Sequence, residues 1–252
     1  MTLPLFFGAS GHELYGVYHP AVAEGHAGRG VVFCNPLPHE AIATQWAFRL
    51  LGDSLARERI HSLRFDYRAT GDSAGDSDEM LLSGHPADID YAINELKVLS
   101  GVTSVHLVGI RLGALFALEV ARARSDVVSV IAWEPVMDGC AYHAELMESA
   151  TPWRTGYCDV GGLVIAEANF EQIKLLSLPA AIQGVQCRVD LIASPHNPEF
   201  EQLGAWLASS ALPCRSEIVE DALPWKADSE VGVAPIPAQA TRVIKTWLTT
   251  SI

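Results

Sequence analysis

The stretch "VGIRLGALFA", Val108–Ala117, decides how the chain is read. An apolar run ends at Ile110, one glycine stands on each side of Arg111, and an Ala/Leu-rich run follows. This pattern predicts a buried strand, a single tight turn and a helix. Arg111 would then stand at the apex, just before the helix N-terminus, where backbone N–H groups favour negative charge.

Outward from this turn, short β-branched and aromatic runs alternate with longer amphipathic ones. "LPLFF" and "ELYGVYH" flank "GASGH" and read as a hairpin. "GVVFCN" predicts a buried strand, and Ile42, Trp46, Leu50, Leu51 and Leu55 keep near-helical spacing after it. "HSLRFDY" and the Gly-rich "RATGDSAGD" read as a strand and its loop. A helix from about Pro86, the strand "SVHLVG", the helix "LGALFALEVARAR" and the strand "VVSVIAWE" continue the rhythm.

Between Pro135 and about Val185 the rhythm breaks, and the expectation there is a helical lid over one end of the sheet. It resumes with "CRVDLIAS", a helix around "PEFEQLGAWLASS", the strand "CRSEIVE" and a last helix in "PAQATRVIKTWLTT". Strands buried on both faces and alternating with helices imply a mostly parallel sheet, covered on both sides, in one α/β domain of 252 residues.

Composition narrows the function. A formal charge of −13 argues against nucleic acid and anionic membranes, which need clustered Lys and Arg. The 49% hydrophobic content is enough for a continuous core and argues against disorder. The five cysteines are widely spaced without a C-x-x-C pair, which fits a reduced, cytoplasmic setting better than disulfides or zinc. No apolar run approaches the roughly 18 residues of a membrane span, and no basic n-region marks a signal peptide. Walker, G-x-G-x-x-G and H-E-x-x-H patterns are missing, so no cofactor or metal is expected.

In element order the sequence resembles the α/β-hydrolase superfamily over nearly its whole length. "LRFDYRATGDSAG" is similar to the D-x-R-G-x-G-x-S segment of serine-aminopeptidase-like members, and "WEPVMDGCAYHAEL" resembles their WDPV segment. "GIRLGALFA" and "ALPWKADSE" are similar to segments of the exosortase-A-system-associated hydrolases of the second type. The resemblance implies an α/β-hydrolase fold with an N-terminal hairpin, helices on both faces and a lid. It also implies a serine at the position of Arg111, an acid after the sixth or seventh strand and a histidine after the last.

None of these is plainly present. A guanidinium keeps its proton and offers no lone pair. "PHNPEF" places His196 and Asn197 where an acid is expected, Trp225 stands near the histidine position, and no histidine follows His196. As substitutes, Cys34 reads more simply as a buried structural cysteine, Ser73 and Ser194 have no local base by spacing, and Glu134 is an acid or equally a structural hydrogen-bond acceptor. A structural role is the simpler reading for Asp66, Arg68 and Asp72 in their loop and for His106 in mid-strand, while Tyr142, His143 and Trp153 are candidates to line the lid.

A buried cation needs a partner. Glu40, in the loop "CNPLPHEA", is the expected one by analogy with dienelactone-hydrolase-like members. Arg111 and Glu40 are therefore the candidate site pair, with Asn35, His39, Leu112, His196 and Trp225 as ligand-lining residues. Three functions stay open. The chain is a triad-less protein binding a small anionic or acyl ligand at Arg111, an ester or thioester hydrolase with an unrecognised nucleophile, or a non-catalytic scaffold with a protein partner.

Overall fold

The computed structural model describes residues 2–22, 28–195, 213–221, 223–226 and 235–250. The hairpin forms from β1 (Leu3–Phe7) and β2 (Leu14–His19), in register Leu3 to Tyr18. Six further strands complete the main sheet: β3 (Arg29–Cys34), β4 (His61–Phe65), β5 (Ser104–Ile110), β6 (Val127–Trp133), β10 (Arg188–Ala193) and β11 (Ser216–Ile218). Their order is β1-β2-β4-β3-β5-β6-β10-β11. β2 runs antiparallel to both neighbours, and the strands from β4 to β11 pair in parallel.

Helices α1 (Pro38–Arg57), α2 (His85–Ser100), α3 (Leu112–Ala123) and α7 (Ala238–Thr250) cover the two faces. Successive side chains of a strand point to opposite faces. In β3, Val31 and Phe33 join the core beneath α1 and α7, whereas Val32 and Cys34 join the core beneath α2 and α3. That division explains why the central strands read as unbroken apolar runs.

Two expectations need correction. The segment expected to be a helical lid carries α4 (Gly139–Ser149), α5 (Glu167–Lys174) and α6 (Leu178–Ile182), but also a separate antiparallel sheet. That sheet is β7 (Thr151–Arg154), β8 (Tyr157–Val160) and β9 (Leu163–Ala166). Its turns fall at "TG" and "GG", where Gly156, Gly161 and Gly162 adopt positive φ. Four-residue strands with an exposed outer member carry too little alternation to stand out from the surrounding helices.

The second correction concerns "PHEA". His39 and Glu40 belong to the first turn of α1 and not to a loop, because Pro38 takes the opening position where its missing N–H costs nothing. Glu40 thereby gains the favourable helix N-terminus. The helix expected at "PEFEQLGAWLASS" lies outside the described residues. No described helix is long and apolar enough to cross a membrane.

Candidate functional site at the β5–α3 elbow

Arg111 links β5 to α3 with φ 53° and ψ −122°, a conformation rare outside glycine. Two glycines make this turn possible. A Cβ on Gly109 would stand 2.5 Å from Ala114 Cα, and one on Gly113 would stand 2.3 Å from the Cys34 carbonyl oxygen. The helix therefore enters directly against the end of β3. Arg111 N–H donates to the Trp133 carbonyl of β6 (3.1 Å), fixing the apex from the other side.

The side chain is 11% exposed and held by four groups. Its Nε donates to Glu40 Oε1 at 2.9 Å, and an Nη donates to Glu145 Oε2 at 2.9 Å. The guanidinium carbon lies 4.7 Å from the Tyr142 ring centroid and 5.6 Å from that of Trp225. Tyr142 Oη donates to the other oxygen of Glu40 (2.9 Å), so that carboxylate is engaged at both ends. Burial opposes the charge on Arg111, but Glu40, Tyr142 and Glu145 outweigh it and hold the guanidinium above its ordinary value. Burial, then the Glu40 carboxylate, keep the Tyr142 phenol protonated.

Helix α4 brings Tyr142 and Glu145 to the elbow. They are three residues apart and share one face. Asp138 caps the helix by accepting from Ala141 N–H at 2.8 Å, and Gly139 N–H donates to the Leu176 carbonyl at 2.9 Å. Gly139 also packs so closely on α5 that a Cβ would stand 1.8 Å from the Ile173 carbonyl oxygen. Sequence reasoning paired Arg111 with Glu40 and missed Glu145. The available signal was the spacing of Tyr142 and Glu145 on one helix.

The other expected residues are dispersed. His39 lies beneath the Gly161 turn of the lid; burial lowers its pKa, and its Nδ1 has no partner among the described residues. Asn35 is tied away, its amide donating to the Phe65 carbonyl at 2.6 Å. Leu112 has its side chain wholly buried in the core beneath α2, so it could meet a ligand only through its backbone. Trp225 packs edge-on against Trp133 as well as beside Arg111. His196 lies outside the described residues.

Among the alternative nucleophiles, Cys34 and Ser73 are engaged in the fold, whereas Ser194 Oγ is buried without a hydrogen-bond partner among the described residues. Cys34 is fully buried, and burial pushes its thiol pKa up. Ser73 Oγ donates to the Asp66 carbonyl (2.6 Å) and accepts from Tyr15 N–H (2.8 Å), joining the loop after β4 to the hairpin. Arg68 N–H and Asp72 N–H are anchored in the same loop by Asp88 and Asp66. Glu134 accepts from Ser194 N–H and ties the end of β6 to that of β10. His106 Nδ1 is 2.7 Å from Ser129 Oγ, a satisfied core histidine.

A cavity of about 770 Å3 lies to one side of the elbow, between α1, β2, the β4 loop and β9. Asn35 and Pro36 line it, but Arg111, Glu40, Tyr142, Glu145 and Trp225 do not. The open volume and the chemically unusual arginine are thus separate features. Cavity size alone is a poor guide to the elbow, where hydrogen bonding and charge are concentrated.

No family model and no curated protein matches this chain. Solved structures do. A predicted CIB-like hydrolase from Thermoplasma acidophilum is 15% identical, with 99% of each chain covered and a TM-score of 0.62. Est1E from Butyrivibrio proteoclasticus, with ferulic acid bound, is 14% identical over 97% of each chain at a TM-score of 0.69. The esterase domain of a Rhodothermus marinus protein is 17% identical, covering 99% of this chain and 98% of its own, at 0.63. With the parallel sheet, its N-terminal hairpin and the β5–α3 elbow, this likeness shows that the chain has the α/β-hydrolase fold.

Proposed function

We propose that this α/β-hydrolase-fold protein has given up serine-type acyl transfer and uses Arg111 to hold a small carboxylate or acyl ligand that exchanges with Glu145. The supporting observation is the inequality of the two carboxylates on one guanidinium. Glu40 is buried and also receives the Tyr142 hydroxyl, whereas the Glu145 side chain is 41% exposed. Removing a partner from a buried pair costs about 3–5 kcal/mol, while a solvent-exposed pair contributes about 0–1 kcal/mol. A ligand would therefore take the Glu145 position and leave Glu40 in place. Glu40 orients the guanidinium; Arg111 neutralises the ligand carboxylate or polarises its carbonyl. With five unpaired cysteines, a reduced cytoplasmic setting suits this reading.

The experiment has two arms. A fluorophosphonate and a thiol-directed probe should leave the native protein unlabelled, and selective labelling at one serine or cysteine would restore the hydrolase reading. In titrations with acetate, butyrate and succinate, Glu145→Ala should bind at least one of them more tightly than wild type. Arg111→Gln should lose that binding. Absence of binding in Glu145→Ala would overturn the ligand assignment.

A second reading is favoured by the low exposure of Arg111 and its two aromatic neighbours. In it the network is a plug, and the chain is a non-catalytic scaffold for a protein partner, such as an exosortase-associated one. Unlabelled protein that also ignores every carboxylate would favour this reading.

A further inference from the structure

The geometry points to a second ligand site, in the cavity between α1 and β4, that takes a monocarboxylate with an apolar body. Two arginines face this space, Arg64 from β4 and Arg49 from α1. Arg64 Nε donates to His19 Nε2 at 3.0 Å, and His19 Nδ1 is 3.0 Å from Asp53 Oδ1. An arginine N–H can only donate, so His19 accepts at Nε2 and donates from Nδ1 to Asp53; its ring is neutral. Arg64 is consequently bonded to a neutral group. It forms no ion pair among the described residues, and its terminal nitrogens carry no hydrogen bond there.

Arg49 has no carboxylate partner among the described residues either; its guanidinium lies 4.9 Å from the Trp46 ring centroid. Burial and the charge of Arg49 together lower the pKa of Arg64, with Asp53 and Asp66 acting in the opposite sense. An anion between Arg49 and Arg64 would relieve the repulsion and give their terminal nitrogens a charged acceptor. Against the elbow arginine, whose partners are already in place, this is the reverse situation.

The remaining lining sets the ligand class. Trp46 and Ile42 from α1, with Leu163 and Val164 from the lid strand β9, offer apolar surface. Asp66 and Asp72, on the loop side, oppose the two arginines and make a dianionic phosphate a poorer occupant than a single carboxylate. A volume of about 770 Å3 falls within the range of small-molecule sites, roughly 300–1,000 Å3.

The test is isothermal titration of the full chain with phenylacetate, octanoate, phenyl phosphate and benzyl alcohol. Phenylacetate or octanoate should bind, with phenyl phosphate and benzyl alcohol each weaker by about tenfold or more, a difference of about 1.4 kcal/mol. Arg49→Gln on the helix surface and Arg64→Gln in the strand should each weaken the carboxylate by about tenfold. Neither Arg49 nor Arg64 is among the groups that hold Arg111, so loss of binding in these two variants separates this site from the elbow. Phosphate binding as tight as carboxylate, or binding in Arg49→Gln or Arg64→Gln equal to that of wild type, would overturn the assignment. So would absence of carboxylate binding up to roughly 10 mM, where association is too weak to signify.

Discussion

Arg111 and Arg64 both stand near the C-terminal ends of strands in the same sheet, yet their surroundings are opposite. Arg111 is enclosed by two carboxylates and two aromatic faces, and the network holds its charge. Arg64 has a neutral imidazole against its Nε, with Arg49 opposing its charge and Asp53 and Asp66 favouring it from a distance. A guanidinium with its partners in place stabilises the fold or must exchange one of them before it can bind. One without them adds little to the fold and is open to a ligand. The contrast predicts different consequences of mutation at each place.

The largest effect is expected from Glu40→Ala. It leaves Arg111 buried with its inner partner gone and Tyr142 Oη without an acceptor, and should cost about 3–5 kcal/mol. Denaturant unfolding, read as a shift of midpoint at constant slope, measures it. Combining Glu40→Leu with Arg111→Met removes both charges and should recover most of the loss, as replacements of buried pairs by apolar residues do. A loss below about 1 kcal/mol for Glu40→Ala would mean that the elbow is solvated like a surface.

The Arg64 region should show itself in pH dependence. Burial, followed by the Arg64 charge, lowers the pKa of His19, while Asp53 raises it and Arg49 lowers it further. A group with a depressed folded pKa contributes stability above its unfolded value, about 6.5, and that contribution is lost as pH falls through the folded pKa. His85 and His106 behave in the same sense, with burial as the first cause, lowered to about 3 and about 4 respectively. Below about pH 6.5 each of these histidines should therefore cost up to about 1.4 kcal/mol per pH unit until its folded pKa is reached. Arg64→Gln should raise the His19 pKa and make the acid loss shallower. Arg111→Gln should leave that pKa where it is. NMR titration of His19 in the two variants decides it; equal pKa values would show that Arg64 does not act on His19.

These differences mark what was legible in the sequence. The sheet and the elbow were, because apolar strands, helical spacing and the glycines around Arg111 are local signals. Glu40 could be paired with Arg111 through the resemblance to dienelactone-hydrolase-like members, together with the need of a buried cation for a partner. The lid meander was not legible, since β7 is exposed throughout and each of its strands spans four residues. Glu145 depends on where α4 docks, through Gly139 on α5. Arg64 reads as an ordinary outward residue of β4, and its setting arises only when β2, α1 and β9 are assembled around it. Local pattern specifies elements, whereas charge compensation is a property of their packing.

The smallest effect is expected at the outer arm of the elbow. Glu145→Gln keeps the size of the side chain and its capacity to accept a hydrogen bond from Arg111, but removes its charge. With that side chain 41% exposed, the stability change should lie within about 0–1 kcal/mol and shrink further in salt. Unfolding of wild type and Glu145→Gln in low and high salt measures it. A small, salt-sensitive change leaves Glu145 free to yield its place to a ligand carboxylate. A change as large as that of Glu40→Ala, insensitive to salt, would make both arms structural. Arg111 would then be a closed element of the core, and the contrast with Arg64 would widen.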